Sequence, residues 1–262
     1  MLKKILSIIA ISMILSSANI TAQTNSNQTA LYTGFVKDET GVPINAEIRF
    51  VNLSNAPIIT RANQDGSYTA VLRQNSNYYL MIKGYIEFGG LKTFEVPKYD
   101  KYHEETRHFI ATKLVEGLEL VKCSLFNDKD TTISQKGIEF LKVFKEFYSL
   151  NKNLQFKLFI PKNEVVFKDK SIKKTEIVNK KKKTTTIKIK SSELANEFLQ
   201  ARSRNLQAEL TKAGLPLKLF KIEFDQPTKV EKPAKTKSKN KTKEKPNIGP
   251  NTRIVIDKIM KM

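Results

Sequence analysis

The chain has 262 residues, with 46 lysines and arginines against 26 aspartates and glutamates, for a net charge of +20. That length suits one large or two ordinary domains, and a lone cysteine, Cys123, excludes an intramolecular disulfide. The sequence holds no nucleophile elbow, phosphate loop or clustered His/Cys ligand set, so no catalytic residue, cofactor or metal is expected.

Taken in order, Met1-Leu2-Lys3-Lys4 is basic and Ile5 to Leu15 is apolar but too short to span a bilayer. Ser16-Ser17-Ala18 and Ile20-Thr21-Ala22 offer small residues for a peptidase. The pattern predicts a signal peptide over 1–22, cleaved before Gln23. The expectation is therefore an exported protein with no transmembrane segment after cleavage.

After the polar stretch Gln23 to Thr29, strand formers recur at about ten-residue spacing. They are Leu31 to Lys37, Ala46 to Val51, Ile58 to Thr60, Ser67 to Leu72, Tyr78 to Ile82, Phe94 to Val96 and His108 to Lys113. Asp38-Glu39-Thr40-Gly41 and Asp65-Gly66 are turn signals between them. This predicts an N-terminal antiparallel β-sandwich over 30–114. His103 and His108 stand beside Glu104 and Glu105, but a five-residue spacing does not put two histidines on one face, and no metal site is expected there.

A second pattern begins at Leu118. Leu118 to Phe126 reads as a strand, with Cys123 as a small packed residue rather than a nucleophile. Thr132-Ile133-Ser134-Gln135 has capping-box spacing, with Thr132 as the cap. Ile138, Leu141, Phe144, Phe147 and Tyr148 continue as a helical stripe, which Asn151 to Asn153 end. Leu154 to Ile160 alternates as a strand. From Lys168 to Lys190 ten lysines face only Asp169 and Glu176. Ser192 to Ala213 is a helix whose apolar face carries Leu199, Leu206, Leu210 and Ala213. Arg202 shares that face, and an arginine aimed at a core must meet an anion or a hydrogen-bonding partner. Gly214 ends the helix. Leu217 to Phe224 and Asn251 to Ile259 read as the last strands. Between them, 226–250 holds eight lysines against Glu231 and Glu244. Both lysine runs are read as mobile segments, either simply solvated or polyanion-binding. The fold class is α+β in two domains, the second an α/β sandwich over 118–262 with lysine-rich insertions at 168–190 and 226–250.

Two resemblances bear on these halves. Gly34, Val36, Asp38, Gly41, Pro43, Ile44 and Ala46, with Asp65-Gly66-Ser67-Tyr68, resemble the carboxypeptidase regulatory-like domain over roughly Ala30 to Leu114. That likeness implies a sandwich that spaces or docks, not a peptidase. Arg202, twelve positions ahead of Gly214, together with Asn251-Thr252-Arg253-Ile254-Val255-Ile256 and the opening segment Leu125 to Asp130, resembles the OmpA-like C-terminal domain.

The second likeness implies binding of peptidoglycan, with an arginine on the carboxylate and an aspartate on the ammonium of diaminopimelate. Arg202 stands in the arginine position. The aspartate position falls on Asn163, which carries no charge. Arg253 matches the family's terminal arginine, or is an outward charge on a strand. The partners implied are peptidoglycan or an acidic envelope polymer, and envelope proteins, in the periplasm or at the outer membrane. Nucleic acid is not expected, because the lysine runs lack interleaved aromatics. The rival reading is a structural subunit of an envelope machine that keeps the fold while Arg202 serves a structural pair.

Overall fold

The computed structural model describes residues 28–162, 165–178, 181–225 and 252–261. The expected leader over 1–22, Asn163 and the lysine run at 226–250 lie outside the described residues. The fold is β-rich.

The first half contains β1 (Thr29–Asp38), β2 (Glu47–Val51), β3 (Ile58–Arg61), β4 (Ser67–Arg73), β5 (Ser76–Ile82), β6 (Tyr85–Glu87), β7 (Thr93–Val96), β8 (His103–Thr106) and β9 (Phe109–Lys113). The main path through the sheet is β3-β2-β5-β6-β9-β1-β4, with β7 on β5 and β8 on β1. The sheet is not purely antiparallel, as the alternation had suggested. β1 runs antiparallel to β4, yet parallel to β8 over Ala30 to Thr33 and parallel to β9 over Val36 to Asp38. A period of two dictates which face a side chain takes; it does not dictate the direction of the neighbouring strand.

The motif positions fall where this path is tightest. Gly34 sits where β1 changes neighbour from β8 to β9, and a Cβ there would run into the Arg107 carbonyl oxygen. Gly66 has φ 80° and lies close against the Val36 carbonyl, so the two halves of the motif meet in space. Asp38 Oδ1 accepts from the amides of Thr40 and Val42, and Asp65 Oδ1 accepts from Ser67 N, so each aspartate builds its own turn. Inside, Phe50, Tyr68, Tyr78, Phe94 and Phe109 form an aromatic cluster, with Phe50 edge-on to Phe94 at 6.0 Å between centroids.

The second half contains β10 (Glu119–Cys123), α1 (Gln135–Leu150), β11 (Leu154–Pro161), β12 (Lys170–Val178), β13 (Lys181–Ile189), α2 (Ser191–Lys212), a 3-10 turn (Leu217–Leu219), β14 (Phe220–Asp225) and β15 (Thr252–Ile259). The main sheet has the order β10-β15-β11-β14. β15 is antiparallel to β10 and β11, whereas β14 is parallel to β11. Leu154, Phe156, Leu158, Ile160, Ile254 and Ile256 are buried in one cluster with the α1 aromatics and the α2 leucines. The alternate positions carry charge, and Lys157 Nζ meets Asp257 Oδ1 at 2.6 Å.

Three local expectations are corrected. The N-cap of α1 is Ser134, whose Oγ accepts from Gly137 N at 3.0 Å. Thr132 is taken up by the preceding loop, donating to Asp130 Oδ2 and accepting from Asn127 Nδ2. Leu217 to Leu219 form a 3-10 turn rather than the start of β14. The run at 168–190, read as a segment without regular structure, forms the antiparallel β12–β13 hairpin, paired from Lys170↔Ile189 to Val178↔Lys181. Its charge count hid an alternation of β-branched residues. Ile172 faces Ile187 and Thr175 faces Thr184 across the ladder, and such pairs stabilise strands.

The halves are packed together. Buried positions on α1 run from Gly137 through Phe140, Leu141, Val143, Phe144 and Phe147 to Leu150, about half the circumference at 100° per residue. One arc meets the four-stranded sheet; the nine-stranded sheet and its loops supply Val51, Met81, Ile86 and Leu91 to the same cluster. Asn151 closes α1 by donating to Phe147 O and also accepts from Gly84 N at 2.8 Å, while Arg49 Nη1 donates to Ser149 Oγ at 2.9 Å.

Candidate functional site

α2 presents a narrow stripe of Leu199, Arg202, Leu206 and Leu210 to the core. Its end is a Schellman turn: Leu215 N donates to Leu210 O, Gly214 N to Thr211 O, and Gly214 takes φ 76°. Its start is tied down by Asp169, whose Oδ1 accepts from Ser191 N at 2.8 Å and whose carboxyl is held below the usual range by that amide. The same bond closes the base of the β12–β13 hairpin, since Asp169 precedes one strand and Ser191 follows the other.

Arg202 is 0% exposed. Its guanidinium carbon lies 4.6 Å from the centroid of Phe126 and 4.7 Å from that of Phe198, close enough for a cation–π contact with each ring. Phe167 in turn packs on Phe198 at 5.5 Å. Nε donates to the Asp130 carbonyl at 2.8 Å, and three residues along Asn205 Nδ2 donates to the Thr131 carbonyl at 2.8 Å. One face of α2 thus grips the loop that leads from β10 to α1. The Asp130 carboxyl is held below its ordinary range first by the Thr132 hydroxyl and then by the Thr131 amide, with Arg202 a smaller influence.

Asn163, the expected partner of Arg202, lies outside the described residues. Arg253 sits elsewhere. Its neighbours in register are Lys122 and Phe159, on the face of the sheet turned away from the helices. There it stacks over Phe159 at 4.3 Å and reaches Asp225 at 3.3 Å and Glu119 at 3.7 Å. Arg202 and Arg253 are therefore not brought to one site. Arg253 belongs to a ladder of opposed charges that includes Lys157–Asp257 and Lys221–Glu223.

The remaining sequence candidates are accounted for locally. His103 stacks on Tyr99 at 3.6 Å, and His108 Nδ1 accepts from Phe35 N at 3.2 Å while its ring stacks on Phe35. Cys123 is packed against the core, and burial pushes its thiol up to about 12, which keeps it protonated and unreactive. Among the described residues no helix is long and apolar enough to cross a membrane.

One face of the hairpin is a feature that charge counting alone did not resolve. Lys173, Lys182 and Lys188 share it with Thr175, Thr184 and Thr186, and the Thr175 and Thr184 hydroxyls bond at 3.1 Å. The opposite face carries Ile172 and Ile187, 41% and 45% exposed. Period-two reading of Thr184-Thr185-Thr186-Ile187-Lys188-Ile189 would have found it.

No protein family and no curated protein matches the chain. Solved structures that resemble it include the 3-chlorocatechol 1,2-dioxygenase of Rhodococcus opacus 1CP, 10% identical with a TM-score of 0.24 over 34% of this chain and 61% of that one. A streptococcal ancillary pilin is 9% identical with a TM-score of 0.26, over 62% of this chain and 50% of that one. The Bacillus anthracis TIE protein is 9% identical with a TM-score of 0.24, over 62% of this chain and 26% of that one. The chain thus spans less than two thirds of each of these proteins, and scores at this level assign neither a fold family nor a function.

Proposed function

We propose that the chain is an exported, non-catalytic cell-envelope adaptor, in which an OmpA-like second domain serves as scaffold rather than as a peptidoglycan receptor. The observation that carries this reading is the enclosure of Arg202. A ligand carboxylate needs a guanidinium edge it can reach; here the group is fully buried, packed against two aromatic rings and bonded to the Asp130 carbonyl. The order of elements, strand-helix-strand, helix-strand and strand, supports the OmpA-like assignment, and the turn motif around Gly34 and Gly66 supports a regulatory-like sandwich as the docking half. The direct test is sedimentation of the full chain with purified peptidoglycan. The expected result is no Arg202-dependent binding, with Arg202→Ala lowering the melting temperature. Loss of sedimentation in Arg202→Ala at unchanged melting would overturn the scaffold reading and restore the receptor.

A second contact is favoured by the exposed lysine face of the hairpin. Lys173, Lys182 and Lys188 are exposed and project from one side of a ladder that stands apart from the main sheet. This supports attraction to an acidic envelope polymer, which falls with ionic strength. Replacing the three lysines by glutamate should abolish low-salt retention on lipopolysaccharide vesicles; undiminished retention would remove the hairpin from the account.

A further inference from the structure

Away from both arginines, the tip of the sandwich holds an open cleft of about 460 Å³. It lies between the β2–β3 loop, the β4–β5 turn and the ends of β5 and β7. Its volume is in the range of ligand clefts, roughly 300–1,000 Å³. Its chemistry is not the usual one. Such clefts are lined mainly by apolar side chains, whereas this one is lined by Asn52, Asn55, Asn75 and Asn77, with hydroxyls from Ser54 and Thr93.

The amides divide into two sets. Asn52 is structural: Nδ2 donates to Asn77 O at 3.0 Å, while Oδ1 accepts from Ser54 N at 2.8 Å and from Asn55 Nδ2. These bonds set the wall of the cleft before any ligand arrives, which lowers the ordering cost of binding. Asn75 takes the left-handed conformation, φ 51°, at the turn. The side-chain amides of Asn75 and Asn77 bond to no group among the described residues. Each offers two donors and an acceptor with two lone pairs. Tyr79 and Leu53 supply the apolar part of the lining.

We infer that this cleft binds a neutral oligosaccharide. A sugar hydroxyl both donates and accepts, and is matched by amides and hydroxyls that do the same. A sugar ring also has an apolar face suited to a tyrosine or leucine. Other ligand classes fit less well. An anion would want a cation, and among the described residues no charged side chain lines the cleft. Arg73 lies near enough to donate to Asn55 Oδ1 but is not one of the lining residues. A divalent cation would want carboxylates, and an apolar ligand would strand the amides without partners. A second depression of about 150 Å³ shares Asn52, Leu53 and Asn55 and continues to Lys142 and Glu146 on α1. The uncharged lining belongs to the larger cleft alone, whose volume of about 460 Å³ leaves room for more than a single sugar.

The test is titration calorimetry of the full chain with three neutral probes, the N-acetylglucosamine tetramer, cellotetraose and maltotetraose, with a heparin tetrasaccharide as polyanion comparison. At least one neutral probe should bind, with an affinity unchanged between low and high salt. Asn77→Ala combined with Thr93→Ala alters two exposed side chains, so melting should be unchanged while affinity falls by about tenfold or more, the scale of one or two lost hydrogen bonds. Ser54→Trp, which fills the cleft from an exposed position, should abolish binding by occlusion. Arg202→Lys should leave sugar binding intact, which separates this result from the peptidoglycan experiment. The inference is overturned if no neutral probe binds, if only the heparin fragment binds, or if the double variant and Ser54→Trp bind as the parent does.

Discussion

In the β-rich half, the motif glycines act through the backbone; in the α/β half, Arg202 acts through its side chain. Gly34 and Gly66 matter because a carbonyl passes too close for a Cβ, and Asp38 and Asp65 because each caps amides within four residues of itself. Arg202 matters because of Phe126 and Asp130, more than seventy residues away along the chain. A glycine of the first kind tolerates almost no substitution, since a backbone carbonyl cannot step aside. The second kind can change its task while the fold persists, because what a side chain meets is set by whatever loop happens to pack against it.

Breaking the first kind should have the largest effect. Gly34→Ala places a methyl against the Arg107 carbonyl, which also accepts the Tyr68 hydroxyl at 2.8 Å. A cost at or above about 3 kcal/mol is expected, the upper end of overpacking, read as a loss of soluble expression or of urea stability. A cost below about 1 kcal/mol would mean that β1 can shift past β8 and β9, against the comparison. Arg202→Ala should cost about 2–3 kcal/mol, the scale of a hydrogen bond to a charged group together with its aromatic contacts. Amide exchange should localise the loosening to residues 127–132; uniform loosening would show that Arg202 supports more than this loop.

The junction sharpens the comparison, because there a side chain does backbone work. Asn151→Ala removes the bond to Gly84 N and the bond to Phe147 O, for about 1–2 kcal/mol. If the halves unfold together through the shared cluster, the transition should stay single and move down; a split transition would show that Asn151 is what couples them. The smallest effect should come from the open face of the sheet. The Asp257 carboxyl is held below its ordinary range first by its bond to Lys157. A depressed folded value means stability that is present above the unfolded carboxylate value and lost as pH falls through the folded one. Asp257→Asn should therefore cost under about 1 kcal/mol at neutral pH and make the acid limb of a melting-temperature profile slightly shallower. An unchanged acid limb would show that the pair is too well solvated to matter.

Much of the local order was legible because it depends on near neighbours. The alternation from Leu154 to Ile160, the stripe on α2 and the Gly214 stop follow from periods of two and 3.6 and from one residue free to take positive φ. Even the burial of Arg202 was readable, since spacing alone put it among Leu199, Leu206 and Leu210. The short strands β6 and β8 were not legible, because three or four residues carry too little alternation to stand out. A charge count hides the hairpin, because net charge carries no information on the β-branched alternation that decides strand pairing.

What the sequence determined by itself is therefore the kind of element at most positions and the face each side chain takes, because both are local consequences of backbone geometry. What only the tertiary structure decided is who meets whom. β1 lies parallel to β8 and β9, Arg202 packs against Phe126 and Phe198 while Arg253 lies across the sheet, α1 is buried from two sides, and amides from two loops and one strand line one cleft. Each of these joins residues far apart in the chain, and a long-range contact depends on how the layers stack, which no window of sequence contains.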